Sequence, residues 1–108
     1  MDKHTKIVRA LEAELYEDGA IFHIEEPFSI KVKGCRVNGE IDVGKVFPGE
    51  QRAEVYEVKS NDRTKSRHKA GEQCQRDRWF MKAKYGITNV DSYYVHGDGD
   101  GYKKIKIE

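Results

Sequence analysis

Residues 39–59 read Gly39-Glu40-Ile41-Asp42-Val43-Gly44-Lys45-Val46-Phe47-Pro48-Gly49-Glu50-Gln51-Arg52-Ala53-Glu54-Val55-Tyr56-Glu57-Val58-Lys59. Two runs of strand-forming residues, 40–46 and 53–59, flank the turn signal Phe47-Pro48-Gly49-Glu50, the pattern of two strands paired as a hairpin. Side chains on a strand alternate between faces, so Val55, Glu57 and Lys59 share one face while Tyr56 and Val58 take the other. If the strands pair through the Pro48-Gly49 turn, Asp42 lies beside Glu57.

The flanking sequence supplies the rest of the fold. Residues 3–18 carry Ile7, Val8, Leu11 and Leu15 on one helical stripe, and Gly19 stops the helix. Ile21-Phe22-His23-Ile24, then Phe28, Ile30 and Val32 beyond Pro27, alternate as a half-buried strand does, and Asn38-Gly39 reads as a turn. Residues 61–69 are polar and basic. A second helix spans about residues 70–84 and ends at Gly86, and residues 89–95 and 102–107 form a last hairpin around residues 96–101. The predicted order is α-β-β-β-α-β-β, an α/β fold with a central mixed sheet flanked by two helices. Asp98-Gly99-Asp100-Gly101 lacks the further ligands of a calcium loop and is read as a hairpin turn.

Length and composition bound what such a fold can be. The 108 residues suit a single domain, 1–108, burying one core. No apolar run approaches the roughly 18 residues of a membrane span, and Met1-Asp2-Lys3-His4 lacks a signal peptide's apolar stretch, so a cytoplasmic protein without membrane partners is expected. Cys35 and Cys74, the only two cysteines, cannot build a four-thiolate site and are expected to be buried free thiols. The 20 Lys+Arg against 19 Asp+Glu conceal a division. Residues 1–58 hold 8 basic against 12 acidic side chains, net −4, and residues 59–84 hold 9 against 3, net +6. An acidic segment therefore precedes a basic one, and the boundary falls at Lys59.

Two adjacent carboxylates repel unless a cation lies between them, and hard oxygen ligands suit Mg²⁺ or Mn²⁺. A lysine beside such an ion can orient a water and stabilise charge developing on a phosphate. Asp42, Glu57 and Lys59 thus form a kit for phosphodiester hydrolysis; a cross-strand salt bridge on a wet sheet face would use the same residue types. The basic residues Arg63, Lys65, Arg67, His68 and Lys69, continued by Arg76, Arg78, Lys82 and Lys84, could hold a phosphate backbone, and Trp79 could stack on an unpaired base.

Gly39-Glu40-Ile41-Asp42, then fourteen residues, then Glu57-Val58-Lys59, between an amphipathic helix and a glutamine-bearing one, resembles the PD-(D/E)XK nuclease superfamily, in particular its RecB-like and CRISPR-associated members. The preceding Glu25-Glu26-Pro27-Phe28 echoes the strand that opens that group's sheet, and the likeness covers about residues 4–80. It implies a restriction-endonuclease-like core and a Mg²⁺- or Mn²⁺-dependent deoxyribonuclease acting on single-stranded, duplex or branched DNA. Asp42 and Glu57 match the family's metal-binding acids, the Val58 carbonyl its backbone ligand, and Lys59 its catalytic lysine. The family's helix glutamine corresponds to Gln73 or Gln75. Gln73 shares a face with Ala70, Cys74, Phe80 and Met81 and is preferred for the site, whereas Gln75-x-x-x-Trp79 imitates a Q-x-x-x-Y pattern.

The first helix should add one more ligand. His4 lies on the Ile7, Leu11 and Leu15 stripe, with Glu12 and Glu14 as substitutes flanking it. Arg63, Lys65, Arg67, Lys69, Gln75, Arg76 and Trp79 are the DNA-binding candidates. The iron–sulfur cluster of some relatives is excluded by the cysteine count, and specificity would come from a small surface or a homodimer. A catalytically silent nucleic-acid-binding module on the same fold is the alternative, and a repair or mobile-element role is what the resemblance suggests.

Overall fold

The alternation read in the central segment becomes the middle of a five-stranded sheet in the computed structural model, which describes residues 1–107. The elements are α1 (Lys3–Leu15), β1 (Ile21–Val32), β2 (Cys35–Phe47), β3 (Arg52–Lys59), α2 (Thr64–Tyr85), β4 (Asn89–Asp98) and β5 (Gly101–Ile107). Their order is the one expected. The sheet runs β1-β2-β3-β4-β5; β3 and β4 pair in parallel and the other neighbours antiparallel. A parallel pair needs a crossover, and α2 is that crossover.

Each helix covers one face. The Asp2 carboxylate accepts the Thr5 N–H at 2.8 Å and caps α1, whose Ile7, Val8 and Leu11 are buried with Val43, Tyr56, Val58 and Val95. On the opposite face α2 buries Cys74, Phe80 and Met81 against Ile41, Val46, Val55 and Val90. Among the described residues no helix is long and apolar enough to cross a membrane.

Three details correct the sequence reading. The β1–β2 turn falls at Lys33-Gly34, where both φ angles are positive, +50° and +82°, as a two-residue hairpin turn requires. Asn38-Gly39 instead lies inside β2, opposite Ser29 and Phe28. A Cβ on Gly39 would stand 2.5 Å from the Phe28 ring, so this glycine serves close packing. α2 begins at Thr64 and not near residue 70, taking in most of the basic segment, because Lys and Arg are good helix formers when their face is solvated. It ends at Gly86, whose left-handed φ of +70° lets its N–H reach the Lys82 carbonyl. Of the two cysteines only Cys74 is buried; Cys35 follows the β1–β2 turn and is exposed.

Gly97 on β4 joins the fold to the end of β3. A Cβ there would lie 2.4 Å from the Ser60 carbonyl oxygen and 2.5 Å from Lys3 Cε. Gly97→Ala therefore forces backbone to move. It is expected to cost about 1–3 kcal/mol of stability in urea unfolding.

Candidate active site

Antiparallel pairing of β2 with β3 runs from Phe47↔Arg52 to Val43↔Tyr56 and goes no further. Asp42 stands at the fork where the strands part, and its Oδ2 accepts the Val58 N–H at 2.8 Å. A side chain replaces the missing backbone partner, which fixes the carboxylate between the strands.

The β1–β2 ladder breaks at the same level: Ile24 pairs with Val43 and Glu26 with Ile41, while Glu25 and Asp42 are skipped. Glu25 has φ +45°, a conformation that costs a non-glycine residue about 1–3 kcal/mol. Ile24 and Val43 consequently pack under α1, whereas Phe28, Ile30 and Ile41 pack under α2. Both strands roll over at this point, and the roll exposes the Asp42 carboxylate to the first turn of α1. There His4 Nε2 is 3.5 Å from Asp42 Oδ2, and His4 Nδ1 is 3.6 Å from Glu25 Oε1.

On the α2 side, β3 presents Val55, Glu57 and Lys59 in turn. Val55 meets the apolar cluster. Lys59 Nζ donates to Gln73 Oε1 at 2.8 Å. Asp77, one helical turn beyond Gln73, faces Glu57. Glu57 and Asp77 are both 0% exposed, and no donor reaches any of their four carboxyl oxygens. Burial first, then Asp77 and Asp42, push the Glu57 carboxyl far above the ordinary carboxylate range. Burial also raises Asp77, to about 7, with Asp42 adding to the shift and the contact with Glu57 opposing it. Both shifts favour the protonated form, so the two acids resist ionising together without a cation between them. Burial pushes the neighbouring Cys74 thiol up to about 12, which leaves it a packing residue without nucleophilic character.

Asp42, Glu57, Val58, Lys59, Gln73 and His4 thus lie together at one end of the sheet. Of the first-helix substitutes, Glu14 instead accepts from Tyr102 and Lys104 on β5. Lys69 and Arg76 join Lys59, Glu72 and Gln73 around an open groove of about 350 Å³. Arg67 has a different task. Its guanidinium grips Asp62 through two bonds of 2.8 and 2.9 Å, and these hold the Asp62 carboxyl down at about 2. Asp62 also accepts from the Tyr94 hydroxyl at 3.1 Å, so Arg67 fastens the loop after β3. Arg63 and Lys65 are exposed at the start of α2, and Gln75 and Trp79 are exposed on the side of the helix away from Gln73.

Two residues of the site escaped the sequence reading. Asp77 could have been found as the one acid on the Ala70, Cys74 and Met81 stripe of α2. Glu25 carried no signal, since its approach to His4 depends on the positive φ. Among the described residues, no three His, Cys, Asp or Glu side chains already stand at metal-ligand spacing. No family model, curated protein or solved structure gives a match to this chain.

Proposed function

We propose that this chain is a metal-dependent deoxyribonuclease on a restriction-endonuclease-like core, as its resemblance to PD-(D/E)XK nucleases implies. The observation that carries the reading is the burial of Glu57 beside Asp42 and Asp77 with no donor to its oxygens, two positions from a lysine that faces a basic groove. Unpaired buried carboxylates are costly and are retained where a cation or a proton neutralises them. The donors are hard oxygens and fit Mg²⁺ or Mn²⁺. Asp42, Glu57 and the Val58 carbonyl would hold the ion, with His4 beside Asp42.

When bound, such an ion lowers the pKa of a coordinated water and neutralises charge on the phosphate. The protein's own residues do the positioning. The Val58 N–H aims the Asp42 carboxylate by donating to its Oδ2. Gln73 accepts from the Lys59 ammonium and holds it at the mouth of the site, where its remaining protons can orient the attacking water and meet negative charge on the phosphate. Lys69 and Arg76 lie where the adjoining backbone phosphates would run.

The second reading, a DNA-binding module without catalysis, draws on the lack of a ready-made three-ligand set among the described residues and on the burial that favours the protonated forms of Glu57 and Asp77. Incubation of the protein with labelled single-stranded, duplex and branched DNA in Mg²⁺, Mn²⁺ or EDTA separates the two. Cleavage in metal and none in EDTA is expected; salt-sensitive binding without cleavage would favour the module. In the same binding assay, Lys69→Glu combined with Arg76→Glu is expected to weaken DNA affinity by at least about tenfold near 0.1 M salt. The double variant should also flatten the dependence on salt, because each lost phosphate contact removes about 0.9 from the logarithmic slope on duplex.

A further inference from the structure

Asp77 is the most buried charge-bearing group for which the mechanism above has no use. It is 0% exposed, both of its oxygens lack a donor, and it comes from α2 rather than from the strands that supply Asp42 and Glu57. Its placement follows the packing of α2 on β3. Gln73 meets Lys59, and one turn on Asp77 meets Glu57, so the helix runs antiparallel to the strand and sets one polar residue against each inward-facing polar residue of β3. No lysine or arginine donor reaches its oxygens. Ala70, Cys74 and Met81 share its buried face of α2, and the Glu57 carboxyl faces it from β3 with Asp42 close by. Arg76, whose charge acts on Asp77, lines the groove. A helix acid serving only to pack would be replaced without loss by an apolar residue of similar size.

We propose that Asp77 is a third carboxylate ligand of the divalent cation held by Asp42 and Glu57, supplied by α2. The proposal rests on the metal-dependent reading above and deepens it. Ligands would then come from both strands at the fork and from the helix beneath, so binding of the ion would clamp α2 onto β3. A third hard oxygen also suits an ion that takes six ligands and keeps some of them as water.

Titration of Mn²⁺ alone into the full chain by calorimetry, without DNA and at pH 8, tests this. Wild type is expected to bind, Glu57→Gln to lose at least about 100-fold in affinity, and Asp77→Asn and Asp77→Ser to lose at least about tenfold each. Cooperative melting in EDTA checks that each variant is folded. A folded Asp77 variant that binds Mn²⁺ as wild type does, while Glu57→Gln still loses binding, overturns the role of Asp77 and leaves the metal reading intact. If wild type binds no Mn²⁺, or Glu57→Gln binds it unchanged, both fall together. Failure of both Asp77 variants to melt cooperatively would show that the fold itself needs this acid, and would also overturn the proposal.

Discussion

Lys59→Ala is expected to lower the rate of DNA cleavage by about 100- to 10,000-fold, the range for loss of a group that moves a proton or stabilises charge in the transition state. The ammonium stands at the end of β3, where it donates to Gln73 at 2.8 Å and opens onto the groove. The change should therefore leave stability nearly untouched. Because the interaction is made with the reacting phosphate and its water, kcat and kcat/KM should fall together, with KM little altered. Gln73→Ala should give a smaller loss of the same kind, since it frees the lysine without removing it. A fall in affinity with kcat preserved would assign Lys59 to DNA binding.

Asp77→Asn is expected to stabilise the metal-free protein. Burial lifts the Asp77 carboxyl from 3.8 when unfolded to about 7 when folded. Between these values the native state binds more protons at Asp77 than the unfolded one, so the contribution of this group is most favourable at low pH and declines as pH rises from about 4 to about 7. Three pKa units correspond to about 4 kcal/mol at most, and because Asp77 is coupled to a second buried acid, Glu57, roughly 2 kcal/mol is expected at pH 8. Asparagine removes the charge and can donate to Glu57. Its melting temperature at pH 8 in EDTA should rise by roughly 10 °C, and the decline between pH 4 and 7 should become shallower. A parallel pH profile for the variant would show that Asp77 is not the group responsible.

Much of this arrangement can be read along the chain because the local rules and the tertiary packing agree. Strict alternation in β3 sends Glu57 and Lys59 to one face whatever surrounds them, and the helical stripe of α1 carries His4 with it. The Gln73 and Gln75 alternatives separate for the same reason: they lie 200° apart on a helix, and only one can face a sheet. Where the reading failed, two rules competed for one residue. Asn38-Gly39 has the composition of a hairpin turn, yet Gly39 is small because the Phe28 ring lies over it. The basic run before Ala70 resembles a loop by polarity and is helical by propensity. Glu25 and Asp42 defeat period-two reasoning altogether, since the strands roll there and hydrophobic residues two apart change faces. Asp77 was hidden by its chemistry: an acid on a helix is assumed to face water, and its burial follows only from the docking of α2 on β3.

The measurement that bears most directly on the site is a cleavage time course on labelled duplex DNA in Mn²⁺ for wild type and Glu57→Gln, with DNA binding by both proteins measured in parallel in EDTA. Wild type is predicted to cleave in Mn²⁺ and to stop on addition of EDTA. Glu57→Gln is predicted to bind DNA comparably and to cleave roughly 1,000-fold more slowly. Equal cleavage by the two proteins, or binding by wild type with no cleavage in either Mn²⁺ or Mg²⁺, would contradict the assignment of Asp42, Glu57 and Lys59 as a hydrolytic centre.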